Sequence, residues 1–332
     1  MPQTFARTEV GVREDLADFI ANVDMKDTPF LSMAPKGPVI TNPLFENQVD
    51  SYDAPNISGV IDGTDVSTTQ DMAKNRARLG CRITHLRQTP KVSKIVALTE
   101  VAGVGTGQEF AKGMIKAVTQ LKRSVESVLC GDQDSQADTG TVPYMTRGLG
   151  AWFQSTATTD LPVPAAYLTP AASIDATAMA SLTPAIINGV MESQYNQTGQ
   201  ERTRPFLVGS TLKKTITNMA GYQPTVGSET GLLRTESGSE TTYVRNILSF
   251  TGDFGKYEMH LSNFLGVDPV TLVNNKWRGY PLDIDMHELR FFLPWNKDEL
   301  PNEGGGRRGL VECIFGQMVK NPLGGAKFAA SA

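Results

Sequence analysis

Lys74-Asn75-Arg76-Ala77-Arg78-Leu79-Gly80-Cys81-Arg82-Ile83 is the stretch that decides the fold. Ala77, Leu79, Cys81 and Ile83 alternate with Arg76, Arg78, Gly80 and Arg82, the period-two pattern of a strand with one covered face. From Lys74 to Lys94 the chain carries Lys74, Arg76, Arg78, Arg82, Arg87, Lys91 and Lys94 but no Asp or Glu. From Gly37 to Ala73 it carries Glu46, Asp50, Asp53, Asp62, Asp65 and Asp71 but no Lys or Arg. Opposite charges attract across antiparallel strands, so an acidic segment running out and a basic one returning predict a hairpin over 43–100. Its tip, Ala54 to Asn75, is rich in Gly, Ser, Thr and Asp. Strands of some twelve residues would reach about 40 Å at ~3.3 Å per residue, too far to cover both faces within one chain. Glu46, Asp50, Arg76, Arg78 and Arg82 are therefore expected to contact neighbouring copies, which points toward assembly rather than catalysis.

Working outward, the preceding residues 1–42 read as an arm. Leu16, Phe19, Ile20 and Val23 fall at the spacing of one helical stripe, which Asp27-Thr28-Pro29 ends and Phe30, Leu31 and Met33 follow. An arm this apolar buries its side chains against another part of the fold or another subunit, and Phe19, Ile20, Phe30 and Leu31 are expected to be buried between subunits. After the hairpin, Gly103, Gly105 and Gly107 form a hinge into a helix over 107–130. Phe110, Met114, Val118, Leu121, Val125, Val128 and Leu129 share one face of it, and Gly131 is a stop signal. At 1.5 Å per residue this helix is roughly 36 Å long. Residues 139–186 shift to Thr, Ala, Ser and Pro, a connection with little regular structure or a domain boundary. Helices are expected at Pro184–Tyr195 and, from a Ser cap, Ser210–Met219, with a strand at Pro205–Val208 between them. Strands follow at Tyr243–Phe250, Tyr257–Leu261, Val270–Val273, Glu288–Leu293 and Leu310–Val319.

The bulk numbers narrow the function. At 332 residues the chain exceeds one average domain, and its 40% hydrophobic content builds a real core. A net charge of -4 argues against a dedicated nucleic-acid binder and leaves only local basic patches. Cys81, Cys130 and Cys313 show no paired spacing, which reads as reduced thiols made in a cytoplasm. The first residues lack a signal-peptide pattern, and no run approaches ~18 apolar residues, so no membrane partner is expected.

Chemical motifs are weak. Gly103-Val104-Gly105-Thr106-Gly107 precedes a helix, but the dinucleotide fingerprint and the Lys-Ser/Thr of a P-loop are both missing. Asp132-Gln133-Asp134-Ser135-Gln136-Ala137-Asp138 opens like a calcium loop, yet Ala137 and Pro143 stand where Gly and Glu are needed. His85, His260 and His287 lack metal-ligand spacing. No catalytic residue, cofactor or metal site is expected. The rival reading is a two-domain α/β enzyme with the Gly-rich segment as its cofactor loop.

The order of arm, charged hairpin, long helix, mixed middle and returning strands resembles the major capsid proteins of tailed bacteriophages, with the Hong Kong 97-type fold. The resemblance is carried by Asp15-Leu16, Ile20 and Asp27-Thr28-Pro29-Phe30-Leu31-Ser32, then by Leu121-Lys122-Arg123, Glu126 and Leu129. Arg147-Gly148-Leu149, Ala151-Trp152 and Asp253-Phe254-Gly255 add to it. Arg78-Leu79-Gly80-Cys81-Arg82 departs from it, where the family often has Asn-Tyr after the Gly. The resemblance implies an α+β fold with an N-terminal arm (1–42), an extended β-hairpin loop (43–100), a spine helix of a peripheral domain (101–139), a mixed axial domain (140–285) and C-terminal peripheral strands with a tail (286–332). It implies a virion subunit, not an enzyme, that self-assembles in the host cytoplasm into the hexamers and pentamers of an icosahedral head around double-stranded DNA, which it contacts non-specifically. Portal, scaffold and decoration proteins are partner classes it leaves open. The signature begins within about fifteen residues of Met1, so no cleaved leader is expected and a separate scaffold protein is left open. Lys74, Lys91 and Lys94 stand where a cross-linking lysine would, but no acceptor or catalytic Glu is identifiable and no cross-link is expected. Another ring-forming virion component is the remaining alternative.

Overall fold

The computed structural model describes residues 27–219 except 68, 102, 103, 105 and 106, the backbone of four short strands within 225–244, and residues 248–266 and 275–329. Phe19, Ile20, Gly103, Gly105 and the strand expected at Val270–Val273 lie outside the described residues.

The chain opens on a short helix α1 (Pro29–Met33), with proline at a first-turn position that its fixed φ suits. Strands β1 (Leu44–Val49) and β2 (Ala77–Arg82) pair antiparallel. Next come β3 (Thr84–Gln88), β4 (Lys91–Val92), the short helix α2 (Lys94–Leu98) and the long helix α3 (Glu109–Leu129). The middle holds α4 (Leu149–Trp152), β5 (Ile174–Asp175), α5 (Pro184–Thr198), β6 (Arg202–Val208) and α6 (Ser210–Asn218). Four short strands follow, β7 (Thr225–Val226), β8 (Glu229–Thr230), β9 (Leu233–Ser237) and β10 (Glu240–Val244). The chain closes with β11 (Ser249–Gly252), β12 (Gly255–Leu261), β13 (Gly279–Pro281), β14 (His287–Leu300), β15 (Arg307–Val319) and β16 (Lys327–Phe328). Gly209, not Ser210, caps α6, and no side chain bonds the free amides there. The last two long strands outrun their apolar cores because β14 continues through exposed polar residues to Leu300.

Two compact units emerge. The first comprises, among described residues, stretches of 87–121 and 295–312. Its core is the inner face of α3: Phe110, Ala117 and Leu121 are buried, as is Val92. The Arg307 guanidinium lies 4.5 Å from the centre of the Phe110 ring. β4 pairs with the start of β15, Val92 opposite Arg307. The turn into β15 needs glycine: Gly306 has φ +110°, and a Cβ there would overlap the Val92 carbonyl oxygen. Ser93 caps α2 by accepting the Val96 N–H.

The second unit, 27–86, 122–294 and 313–332, is built on a six-stranded sheet ordered β11-β12-β6-β13-β16-β5. β12 runs parallel to β6, with α6 among the elements in between. Ile187, Val190 and Met191 of α5 and Leu212 and Ile216 of α6 pack with Phe206, Val208, Tyr257, Met259 and Phe328 in one apolar cluster. Phe206 sits 5.3 Å, ring to ring, from both Tyr257 and Phe328. The 139–186 stretch lacks long elements, as its composition implies, but it is not loose: Trp152, Phe153, Val163 and Tyr167 are all buried.

Candidate assembly surfaces

The hairpin is shorter than its charge pattern suggests. β1 and β2 are six residues each, about 20 Å of paired strand rather than 40 Å. Acidic and basic runs continue beyond the paired residues into a loop, and charge alone does not separate strand from loop. At the base, Phe45 lies opposite Cys81, and both are buried with Leu79. Gln48 lies opposite Arg78 and Val49 opposite Ala77.

The opposed charges meet within the chain. Arg78 reaches Glu46 at 3.4 Å, Arg76 reaches Asp50 at 3.2 Å and Lys74 reaches Asp53 at 2.7 Å, all on exposed surface. Side-chain hydrogen bonds from Lys74 and Asn75 hold the Asp53 carboxyl below its ordinary value. Arg82 differs from its neighbours. It grips Asp160 through Nε (2.8 Å) and Nη2 (3.2 Å) and is largely covered, so it anchors the hairpin to its own body rather than offering itself to a neighbour.

Between the strands, residues 50–76 contain no strand among the described residues and are exposed almost throughout. Tyr52, Ile57, Val60, Ile61, Val66 and Met72 are each at least 78% exposed. This exposed apolar set has no counterpart among the residues that the sequence pattern assigns to contacts with neighbouring copies. Its signal was present in the letters but scattered, without a period, among glycine and threonine.

The arm's base also departs from expectation. Phe30 is 1% exposed inside its own chain, so it is not held for a neighbour. Its ring meets His287 edge-on at 6.1 Å. The Phe30 and Leu31 N–H groups donate to Glu126 Oε1 (2.9 Å) and Oε2 (2.7 Å) on the long helix. Leu31 is half-buried. Beyond α1 the arm follows the start of β14: the Gly37 N–H donates to the Leu289 carbonyl at 2.9 Å, and Ile40 to Phe291 at 3.1 Å. Burial raises the Glu126 carboxyl to about 6, against the lowering pull of the two amides and the Cys130 thiol. Burial lowers His287 to about 3.

The acidic run after the long helix binds cationic side chains. Asp132 accepts from Arg278 Nη2 (2.6 Å) and the Tyr280 hydroxyl (3.1 Å), with Lys327 Nζ at 3.4 Å. Asp134 accepts from Arg147 Nε (2.8 Å) and from the Thr159 and Asp160 amides. Arg147, fully buried, also donates to the Asp160 and Leu161 carbonyls. Among the described residues no group of three or more His, Cys, Asp or Glu side chains could hold a metal ion. Of the three glycines expected to form a hinge, Gly107 is described and has φ +76°, a conformation only glycine takes freely. Among the described residues no helix is long and apolar enough to cross a membrane.

Comparison with known proteins agrees with this architecture. The family model for the SU10 major capsid protein matches residues 2–331. No curated protein sequence matches the chain. Among solved structures, the capsid of a native GTA particle superposes with TM-score 0.63 at 12% identity, covering 99% of both chains. A chain from Gordonia phage Cozz gives 0.57 at 15% identity over 97% of this chain and 92% of that one. The capsid of cyanophage P-SCSP1u gives 0.59 at 10% identity, over 96% and 93%. At such identities the likeness is one of fold.

Proposed function

This chain belongs to the SU10 major capsid protein family, and from that membership we propose how its copies join. It is a shell-forming capsid protein of a phage particle and not an enzyme. The proposal is that it closes into hexamers and pentamers of an icosahedral head around double-stranded DNA, assembled in the host cytoplasm. Residues 1–42 would serve as the arm, 43–100 as the extended loop, 101–139 as the spine, 140–285 as the axial domain and 286–332 as peripheral strands and tail.

The observation that carries the reading is the exposed loop between β1 and β2. Six large apolar side chains stand in water there on one copy. Burying such a side chain gains about 1.5–3 kcal/mol, so the loop gains most by lying on an adjacent subunit. The hairpin charges would then set register rather than drive association, since their partners are already met at home. Glu46, Asp50, Arg76 and Arg78, with half-buried Leu31, remain the proposed rim of that contact. Portal, scaffold and decoration proteins would join the same shell. DNA would be met by scattered basic groups with no base reading, so any binding by the free subunit should fall steeply with salt.

The test replaces Ile57, Val60 and Ile61 together with Ser. Folded subunit with an unchanged melting temperature, but no shells by negative-stain microscopy, is the expected outcome. Normal shells from the triple variant would overturn the reading.

A further inference from the structure

We propose that Glu126 is a proton-linked catch for the base of the arm, holding α1 more firmly when its carboxyl is neutral than when it is ionised. Glu126 lies on α3 with its side chain fully covered. Its partners are the Phe30 and Leu31 amides and, more weakly, the Cys130 thiol at 3.9 Å, none of them cationic. A carboxylate buried without a counter-ion keeps much of its desolvation cost, because two amides offset only part of what water supplied. Detaching α1 would return water to it. A neutral carboxyl has no such cost and can still accept an amide through its carbonyl oxygen and offer its O–H to the thiol.

The direction follows from linkage. The docked carboxyl titrates at about 6, against 4.5 for a solvated glutamate. The docked form therefore binds the proton more tightly, and acidification through that window tightens docking by up to about thirtyfold. Raising the pH loosens the arm base. Two other titratable groups face this site. Cys130, raised by burial, stays a thiol throughout the window. His287 packs against Phe30 and Phe153, and burial lowers it to about 3, so it is neutral while docked. Any water that reached His287 on undocking would let it protonate, which opposes Glu126. The two effects must be separated.

Hydrogen exchange on the full-length chain separates them. Opening constants for the Phe30 and Leu31 amides, corrected for intrinsic exchange, are measured from pH 4.5 to 7.5 in the native protein and in Glu126→Gln. His287 contributes equally to both and cancels in their ratio. The native-to-variant ratio should rise by about fifteenfold across the range, with its half-rise near 6. A ratio independent of pH would overturn the proposal. Should Glu126→Gln not fold, His287→Phe in the otherwise native chain isolates the carboxyl: opening that grows with pH supports the catch, and flat or reversed opening rejects it.

Discussion

Among single residues, the arginines of β2 and the one just before it behave differently. Arg76 and Arg78 make exposed pairs, each worth ~0.2–1 kcal/mol. Arg82 makes a two-pronged, largely covered pair with Asp160. Charged hydrogen bonds of that kind contribute about 1.5–3 kcal/mol. Arg82→Ala should therefore lower the urea midpoint more than Arg78→Ala does; equal losses would refute the distinction. The alternating pattern marked all three arginines as strand residues, but Asp160 lies 78 positions away and nothing in the local letters names it. Glu126 was likewise readable only as part of a motif, because its partners are backbone amides, which carry no sequence signature. His287 allows a pH prediction. Folded chain refuses a proton until about pH 3, whereas unfolded chain takes it near 6.5, so stability falls as pH drops below 6.5. Between pH 7 and 5 the loss from this group should be roughly 2 kcal/mol. His287→Phe should remove that part of the slope in paired urea titrations at the two pH values, and an unchanged slope would contradict the assignment.

Whole elements were legible where a period exists. The apolar face of α3 reads directly from Phe110 to Leu129, because a helix repeats its buried side every three to four residues. β2 reads from strict alternation. The reach of the hairpin did not, since Asp53, Asp62, Asp65 and Asp71 extend the acidic run through a loop whose described residues make no ladder. Short connecting elements such as α4 and β5 escaped as well: α4 is held by the Lys327 ammonium on the Gly150 carbonyl and β5 by pairing with β16, partners distant in sequence that no local propensity names. One connection does have a local rule. Gly306 combines φ +110° with close packing on the Val92 carbonyl. An alanine there would be strained by about 1–3 kcal/mol before any packing shift. Gly306→Ala should lower the melting temperature and speed exchange of the amides where β4 meets β15; unchanged protection at Val92 and Arg308 would show that the turn adapts freely.

For the molecule as a repeating subunit, the question is whether charge or apolar burial drives assembly. The charge pattern alone favours an electrostatic clamp between copies. The structure weakens that case, because three of the basic groups already pair with Glu46, Asp50 and Asp53 of the same chain. Exchanging these for equivalent pairs across an interface gains little, as each exposed pair is worth at most about 1 kcal/mol wherever it forms. The six exposed apolar side chains of the loop have no such partner at home, and each gains about 1.5–3 kcal/mol on full burial. Apolar burial should therefore dominate even if it is only half complete. Salt discriminates the two. At about 1 M ionic strength the screening length shrinks to about 3 Å, which removes most of what surface charges contribute, while burial of apolar area persists. Purified subunits should still form shells at 1 M sodium chloride, with at most a slower onset, and sulfate should raise the yield by strengthening burial. Sedimentation analysis across the salt series gives the measure. Shells that dissolve between 0.1 and 1 M sodium chloride, from subunits that stay folded, would return the hairpin charges to the leading role and leave the loop's apolar residues as passengers.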